Sequence, residues 1–116
     1  MDSAALSRSF FDAFRNRDLD TMVSMIAEDV CYEMSNLPAM RSPGAVRDMY
    51  ESLFDALGDA EIKLLDCIAQ DNKTAVILSL PDSDEAGGSI FHEWSNDGLL
   101  VRYQSFSRVA VPDPQD

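Results

Sequence analysis

Apolar residues recur with a helical period along the first half of this chain and alternate with polar ones along the second. Leu6, Phe10 and Phe14 stand at i, i+4 and i+8, with Phe11 widening the stripe. That spacing predicts a first helix over residues 4–16, capped by Asp2 or Ser3. Leu19, Met22, Val23 and Ile26 follow at i, i+3, i+4 and i+7 behind Asp18, which predicts a short second helix reaching Ala27. From Val30 the rhythm becomes that of a strand ending at Ser35, with Val30, Tyr32 and Met34 on one side and Cys31, Glu33 and Ser35 on the other. Ser42 as N-cap, Pro43 at the first helical position and Gly58 beyond the end bound a third helix. Its stripe is Val46, Met49, Tyr50, Leu53, Phe54 and Leu57.

Beyond Gly58 the pattern is all strand. Residues 61–70 and 73–80 flank Asp71 and Asn72, two residues that tolerate left-handed backbone and so suit a hairpin turn. An acidic loop over residues 81–88 leads to a strand at 89–95. The turn Asn96, Asp97, Gly98 precedes a long last strand at 99–111, and residues 112–116 read as a frayed tail. The order helix, helix, strand, helix, then four strands predicts one α+β domain over residues 1–111, a curved mixed or antiparallel sheet wrapped over three helices. Gly87, Gly88 and Ser89 lack the lysine and following helix of a phosphate loop and read as a flexible turn.

Composition narrows the partners. Nine Lys and Arg against 21 Asp and Glu give a formal charge of −12 over 116 residues. Nucleic acids and anionic membranes bind through basic side chains, so both are poor partners for this chain. No apolar run reaches the ~18 residues of a membrane span, and the acidic start is unlike a signal peptide, so the expectation is a cytoplasmic protein. The acidic bias fits a well-solvated surface, with a saline habitat as the other reading. Cys31 and Cys67 lie in separate strands without metal or redox spacing and read as free thiols. The single histidine, His92, rules out a zinc site built on two or three histidines, and no G-x-S-x-G elbow supports a serine triad. No metal or cofactor is called for.

Residues 10–34, "FFDAFRNRDLDTMVSMIAEDVCYEM", residues 41–54, "RSPGAVRDMYESLF", and residues 96–106, "NDGLLVRYQSF", together resemble the SnoaL-like branch of the nuclear transport factor 2-like superfamily, which includes small cyclases and isomerases. The resemblance covers nearly the whole chain. It implies a cone-shaped, cystatin-like domain whose mouth holds an apolar pocket and whose outer sheet face forms homodimers, here offering Leu100, Phe106 and Ile77. In relatives similar to ketosteroid isomerase, the position of Met34 holds the general base, that of Phe10 a hydrogen-bonding tyrosine, and that of Ile90 or Phe91 a second acid. None of those groups stands at these positions here. Cyclases similar to SnoaL use a carboxylate on the last strand, and residues 99–111 contain no acid.

The resemblance places Val101, Tyr103, Ser105 and Ser107 on the pocket face of the last strand, with Arg102, Gln104 and Arg108 outside. The expected pocket lining is Phe10, Phe14, Tyr32, Met34, Phe54, Leu78, Leu80, Tyr103, Ser105 and Ser107. His92 faces inward if Ile90 and Trp94 do, and outward if Phe91 and Glu93 do. Three functions compete. The first is a pocket for a small, mostly apolar, neutral or cationic molecule. The second is an isomerase, dehydratase or cyclase with His92, Tyr103 and Tyr32 as candidate catalytic residues. The third is an interaction module whose pocket its own side chains fill. A cavity above about 300 Å³ with His92 and Tyr103 converging on it separates the second from the third.

Overall fold

The structure, a computed structural model, describes residues 1–35 and 37–107. In chain order its elements are α1 (Ser3–Arg15), α2 (Leu19–Ser24), β1 (Ile26–Glu33), α3 (Pro43–Leu57), β2 (Leu64–Gln70), β3 (Lys73–Ser79), β4 (Ala86–Trp94) and β5 (Leu100–Ser107). The strands form one mixed sheet in the order β1-β5-β4-β3-β2. β1 runs parallel to β5, and the other neighbours are antiparallel. The domain is therefore α+β, as the element order predicts.

Local chemistry sets the helix ends. Asp2 is the cap of α1, its carboxylate accepting from the Ala5 amide at 3.0 Å, while Ser3 is the first helical residue. Asp18 and Ser42 cap α2 and α3 in the same way, satisfying amides that have no partner inside the helix. The apolar stripes of α1 and α3 then meet the sheet. Met22, Val30, Tyr32, Val46, Trp94 and Leu100 are wholly buried between them.

Three boundaries differ from expectation, each because bonds to residues distant in the sequence outcompete a local pattern. α2 stops at Ser24, and Ile26, expected in that helix, opens β1. The Leu100 amide donates to the Met25 carbonyl at 2.7 Å and Ile26 lies opposite Leu100. An irregularity between Ile26 and Cys31 then lets Ile26, Ala27 and Val30 all be buried. β2 begins at Leu64 because the preceding amides bond to side chains instead: Glu61 N to Asp82 Oδ1 and Lys63 N to Ser79 Oγ, both at 2.9 Å. β4 begins at Ala86, so Gly87, Gly88 and Ser89 are strand and not turn.

Leu100, expected on the outer face, is buried in the core. Opposite Trp94 and Glu93 lie Leu100 and Arg102, which leaves Val101 as the extra residue of a bulge. The bulge reverses parity beyond it, so Leu100 and Tyr103 both point to the helices and Val101 does not reach the pocket. The predicted strand residues 108–111, Arg108 among them, and the tail 112–116 lie outside the described residues.

Gly87 meets a steric limit. A Cβ there would stand 2.7 Å from Leu80 Cδ2 and 2.8 Å from the Leu80 backbone nitrogen, and that nitrogen is held by a 2.8 Å bond to the Glu85 carbonyl. Gly87→Ala is therefore expected to destabilise the domain by about 1–3 kcal/mol, the usual cost of overpacking. A urea titration in which the variant and the wild type share a midpoint would contradict this close approach.

Candidate functional site

A cavity of about 420 Å³ separates the helices from the concave side of the sheet. α1 contributes Ser7, Phe10, Phe11 and Phe14 to its wall, and α3 contributes Tyr50, Leu53 and Leu57. The sheet side is built by the inward residues of adjacent strands: Val76 and Leu78 on β3, Ile90 and His92 on β4, and Tyr103 and Ser105 on β5. Cross-strand register explains the grouping, since Val76 lies opposite Ile90 and Ile90 opposite Ser105. Pro81 and Phe106 are the exposed members of the lining and mark where the cavity meets solvent. No Asp, Glu, Lys or Arg is part of this wall among the described residues.

Of the ten expected lining residues, Phe10, Phe14, Met34, Leu78, Leu80, Tyr103 and Ser105 lie on the cavity. Tyr32 and Phe54 do not. Tyr32 sits directly opposite Tyr103 in the β1–β5 ladder, and the two rings stack at 3.9 Å with planes 5° apart, so Tyr103 screens Tyr32 from the cavity. Phe54 packs against Phe14 and Tyr50 and beneath the Arg17 guanidinium at 4.9 Å, without a surface on the cavity. The Ser107 side chain lies outside the described residues. Ser7 was missed in the sequence because a lone serine in an apolar stripe gives no signal until its partners are known.

His92 lies on the cavity with Ile90, and Trp94 is buried on the same inner face of the strand, which leaves Phe91 and Glu93 on the outer face. Its Nδ1 is 2.8 Å from Ser7 Oγ. The indole N–H of Trp94 donates to the same oxygen at 3.2 Å. Phe10 meets the imidazole edge-on at 5.8 Å, and the Tyr103 ring lies tilted at 5.3 Å. Nε2 is buried and has no protein partner. Burial alone, with no compensating charge, lowers the His92 pKa from 6.5 to about 4, so the ring is neutral at pH 7.

Next to it the hydroxyls of Tyr32, Tyr50 and Tyr103 converge. Tyr32 and Tyr50 are hydrogen-bonded. Burial raises the pKa of all three, well above the ordinary tyrosine value for Tyr32 and Tyr50, while the neighbouring hydroxyls pull Tyr103 back. All three are therefore protonated at neutral pH and able to donate. Met34, at the place where isomerase-like relatives hold a base, is apolar wall. Among the described residues the site offers uncharged hydrogen-bonding groups in an apolar chamber and no carboxylate. Among the described residues no group of three potential ligands could hold a metal.

The model of the SnoaL-like domain family matches residues 7–110 of the sequence. The chain belongs to the SnoaL-like family. Among solved structures, this SnoaL-like chain is similar to a protein from Kribbella flavida DSM 17836 provisionally described as a ketosteroid isomerase, at 25% identity and a TM-score of 0.78. That match covers 97% of this chain and 82% of the other. A SnoaL-like protein of unknown function from Burkholderia thailandensis E264 aligns at 17% identity and a TM-score of 0.75, covering 94% and 98% of the two chains. An LEH-like epoxide hydrolase from Mycobacterium tuberculosis aligns at 15% and 0.70, covering 90% and 81%. No curated protein matches the sequence. The last two likenesses carry the fold alone.

The depressed pKa of His92 makes stability depend on pH. Between pH 6.5 and about 4 the unfolded chain binds a proton that the folded chain refuses. Stability from this group is thus complete above the unfolded value and declines as pH falls to the folded one, by ~3 kcal/mol in all. His92→Gln should show a shallower loss of urea stability between pH 7 and 4.5 than the wild type. Parallel losses would place His92 in a solvated setting.

Proposed function

We propose that this SnoaL-like protein binds a small, uncharged, largely apolar molecule in the chamber between α1, α3 and the sheet. The observation that carries the reading is the 420 Å³ cavity itself, which lies within the roughly 300–1,000 Å³ range of small-molecule sites. A domain whose own side chains filled the mouth would leave no such space, which argues against the interaction module. Among the described residues the wall carries no charged side chain, which narrows the expected neutral or cationic ligand to a neutral one. A cation entering it would lose its water and find no counter-charge.

A second reading, an isomerase, dehydratase or cyclase, is favoured by one observation: His92 and Tyr103 both border the cavity, with a polar ring nitrogen left unpaired. Tyr32 would act in it only through Tyr103, since it has no surface on the cavity. The provisional description of the Kribbella protein is in keeping with this reading. A second copy of the chain is the proposed partner on the outer sheet face, where Ile68 is 64% exposed and Phe106, at the rim of the cavity, 57% exposed. Such apolar exposure on a sheet face is the usual mark of an interface.

Two measurements check these proposals. Leu78→Trp, which puts an indole into the chamber, should weaken binding of an apolar fluorescent dye about tenfold or more while leaving the fold intact by circular dichroism. Unchanged dye affinity would move the binding site elsewhere. Light scattering should give twice the 12.9 kDa chain mass for the wild type. It should give the single chain mass for Ile68→Lys combined with Phe106→Glu, and a wild-type monomer at micromolar concentration would exclude the dimer.

A further inference from the structure

Gly87 and Gly88 stand side by side in β4, and glycine inside a strand weakens it, so each calls for a reason. For Gly87 the reason is the Leu80 backbone, which leaves no room for a Cβ. Gly88 has no such reason in its backbone angles, since among the described glycines only Gly58 and Gly98 have a positive φ. Its place in the ladder supplies one. Gly88 lies opposite Leu78 on β3 and Ser107 on β5, two residues before Ile90 in an unbroken stretch of register. Residues directly opposite in an antiparallel ladder share a face, so a side chain at position 88 would join Leu78 and Ile90 on the cavity wall. Ser89 and Phe106 pair with each other and alternate to the other face, yet both border the cavity, beside the bare position.

This gap falls at the mouth. Phe106 and Pro81, the exposed members of the lining, flank it, whereas His92 at the buried end lies four residues further along β4, about 13 Å away at the usual strand rise. We infer that Gly88 is the specificity-determining residue of the chamber: its bare position lets one end of a ligand pass out by Pro81 and Phe106, so the site takes molecules longer than the cavity. This deepens the proposed binding role and rests on it. A chain running along β4 from His92 towards Gly88 meets Ile90, Val76 and Leu78 and no charged side chain among the described residues. Each methylene it buries adds about fourfold to affinity, and length beyond the mouth is tolerated without gain. A larger residue at position 88 would end the chamber at Ile90 and put a ceiling on ligand length.

Displacement of N-phenyl-1-naphthylamine, a neutral apolar dye, by 1-hexanol and by 1-dodecanol tests this. Both alcohols should bind the wild type, the longer one more tightly. Gly88→Val should keep 1-hexanol affinity within about twofold and weaken 1-dodecanol about tenfold or more, with Gly88→Ala between the two. Gly88→Val should also raise the urea midpoint, because strands favour valine over glycine and the side chain enters open space, the opposite of the effect expected for Gly87→Ala. An equal loss for both alcohols, no loss for either, or a lowered midpoint for Gly88→Val would overturn the inference. So would a wild type that binds 1-hexanol but not 1-dodecanol, an outcome that leaves the ligand chamber standing and refutes the open mouth alone. If neither alcohol displaces the dye from the wild type, the chamber reading fails and the inference with it.

Discussion

α1 is fastened to the middle of the sheet through buried serine hydroxyls. Ser7 takes the Trp94 indole N–H and engages His92, two residues of β4 that lie on the same face. One turn earlier, Ser3 donates to the Asp71 carbonyl in the β2–β3 turn at 2.8 Å, and Thr74 on β3 donates back to the Ser3 carbonyl at 3.4 Å. Hydrophobic burial brings a helix to a sheet but does not choose its rotation or its height. Directional bonds at two points do both, and buried polar groups must find such partners or cost free energy. Once Ser3 and Ser7 fix the start of α1, Phe10, Phe11 and Phe14 further along the helix can only project over the sheet, where they form one wall of the cavity.

The cavity stays open because its walls are held apart by elements anchored elsewhere. α3 packs against the tyrosine cluster, and its Tyr50 joins Tyr32 on β1. Arg17, at the exit of α1, donates to the carbonyls of Gly58 and Ala60 beyond the end of α3 and lies over Phe54. These contacts tie the far ends of the two helices together, so neither can settle onto Val76, Leu78 and Ile90 to fill the space. Core residues usually pack to crystal-like density, and a void of this size survives only when rigid neighbours prevent collapse.

The fold was legible in the sequence because each element carried its own local signal. Asp18, Ser42, Pro43 and Gly58 mark helix ends by backbone chemistry, and the alternation around Tyr32 marks a strand. The errors fall where a distant strand decides. Ile26 obeys the helical spacing of α2 but is taken by Leu100, and simple alternation puts Leu100 outside until the bulge at Val101 reverses it. The site was legible only in part for the same reason. Tyr103, Met34 and Leu78 follow from face alternation, whereas the exclusion of Tyr32 depends on which tyrosine lies in front, and Ser7 depends on two partners 85 and 87 residues away.

A polar atom in an apolar chamber has a cost, and the chain bears it at His92 Nε2 while sparing itself the larger cost of a carboxylate at Met34. A carboxylate there would need partners to stay charged, and the nearby donors, the tyrosine hydroxyls, are already engaged with one another. The uncharged imidazole asks for less, because Nδ1 is bonded to the Ser7 hydroxyl and Nε2 alone goes without a partner. What is left over is not ionic: one unpartnered ring nitrogen packed among the rings of Phe10, Trp94 and Tyr103, behind the wall of an apolar chamber.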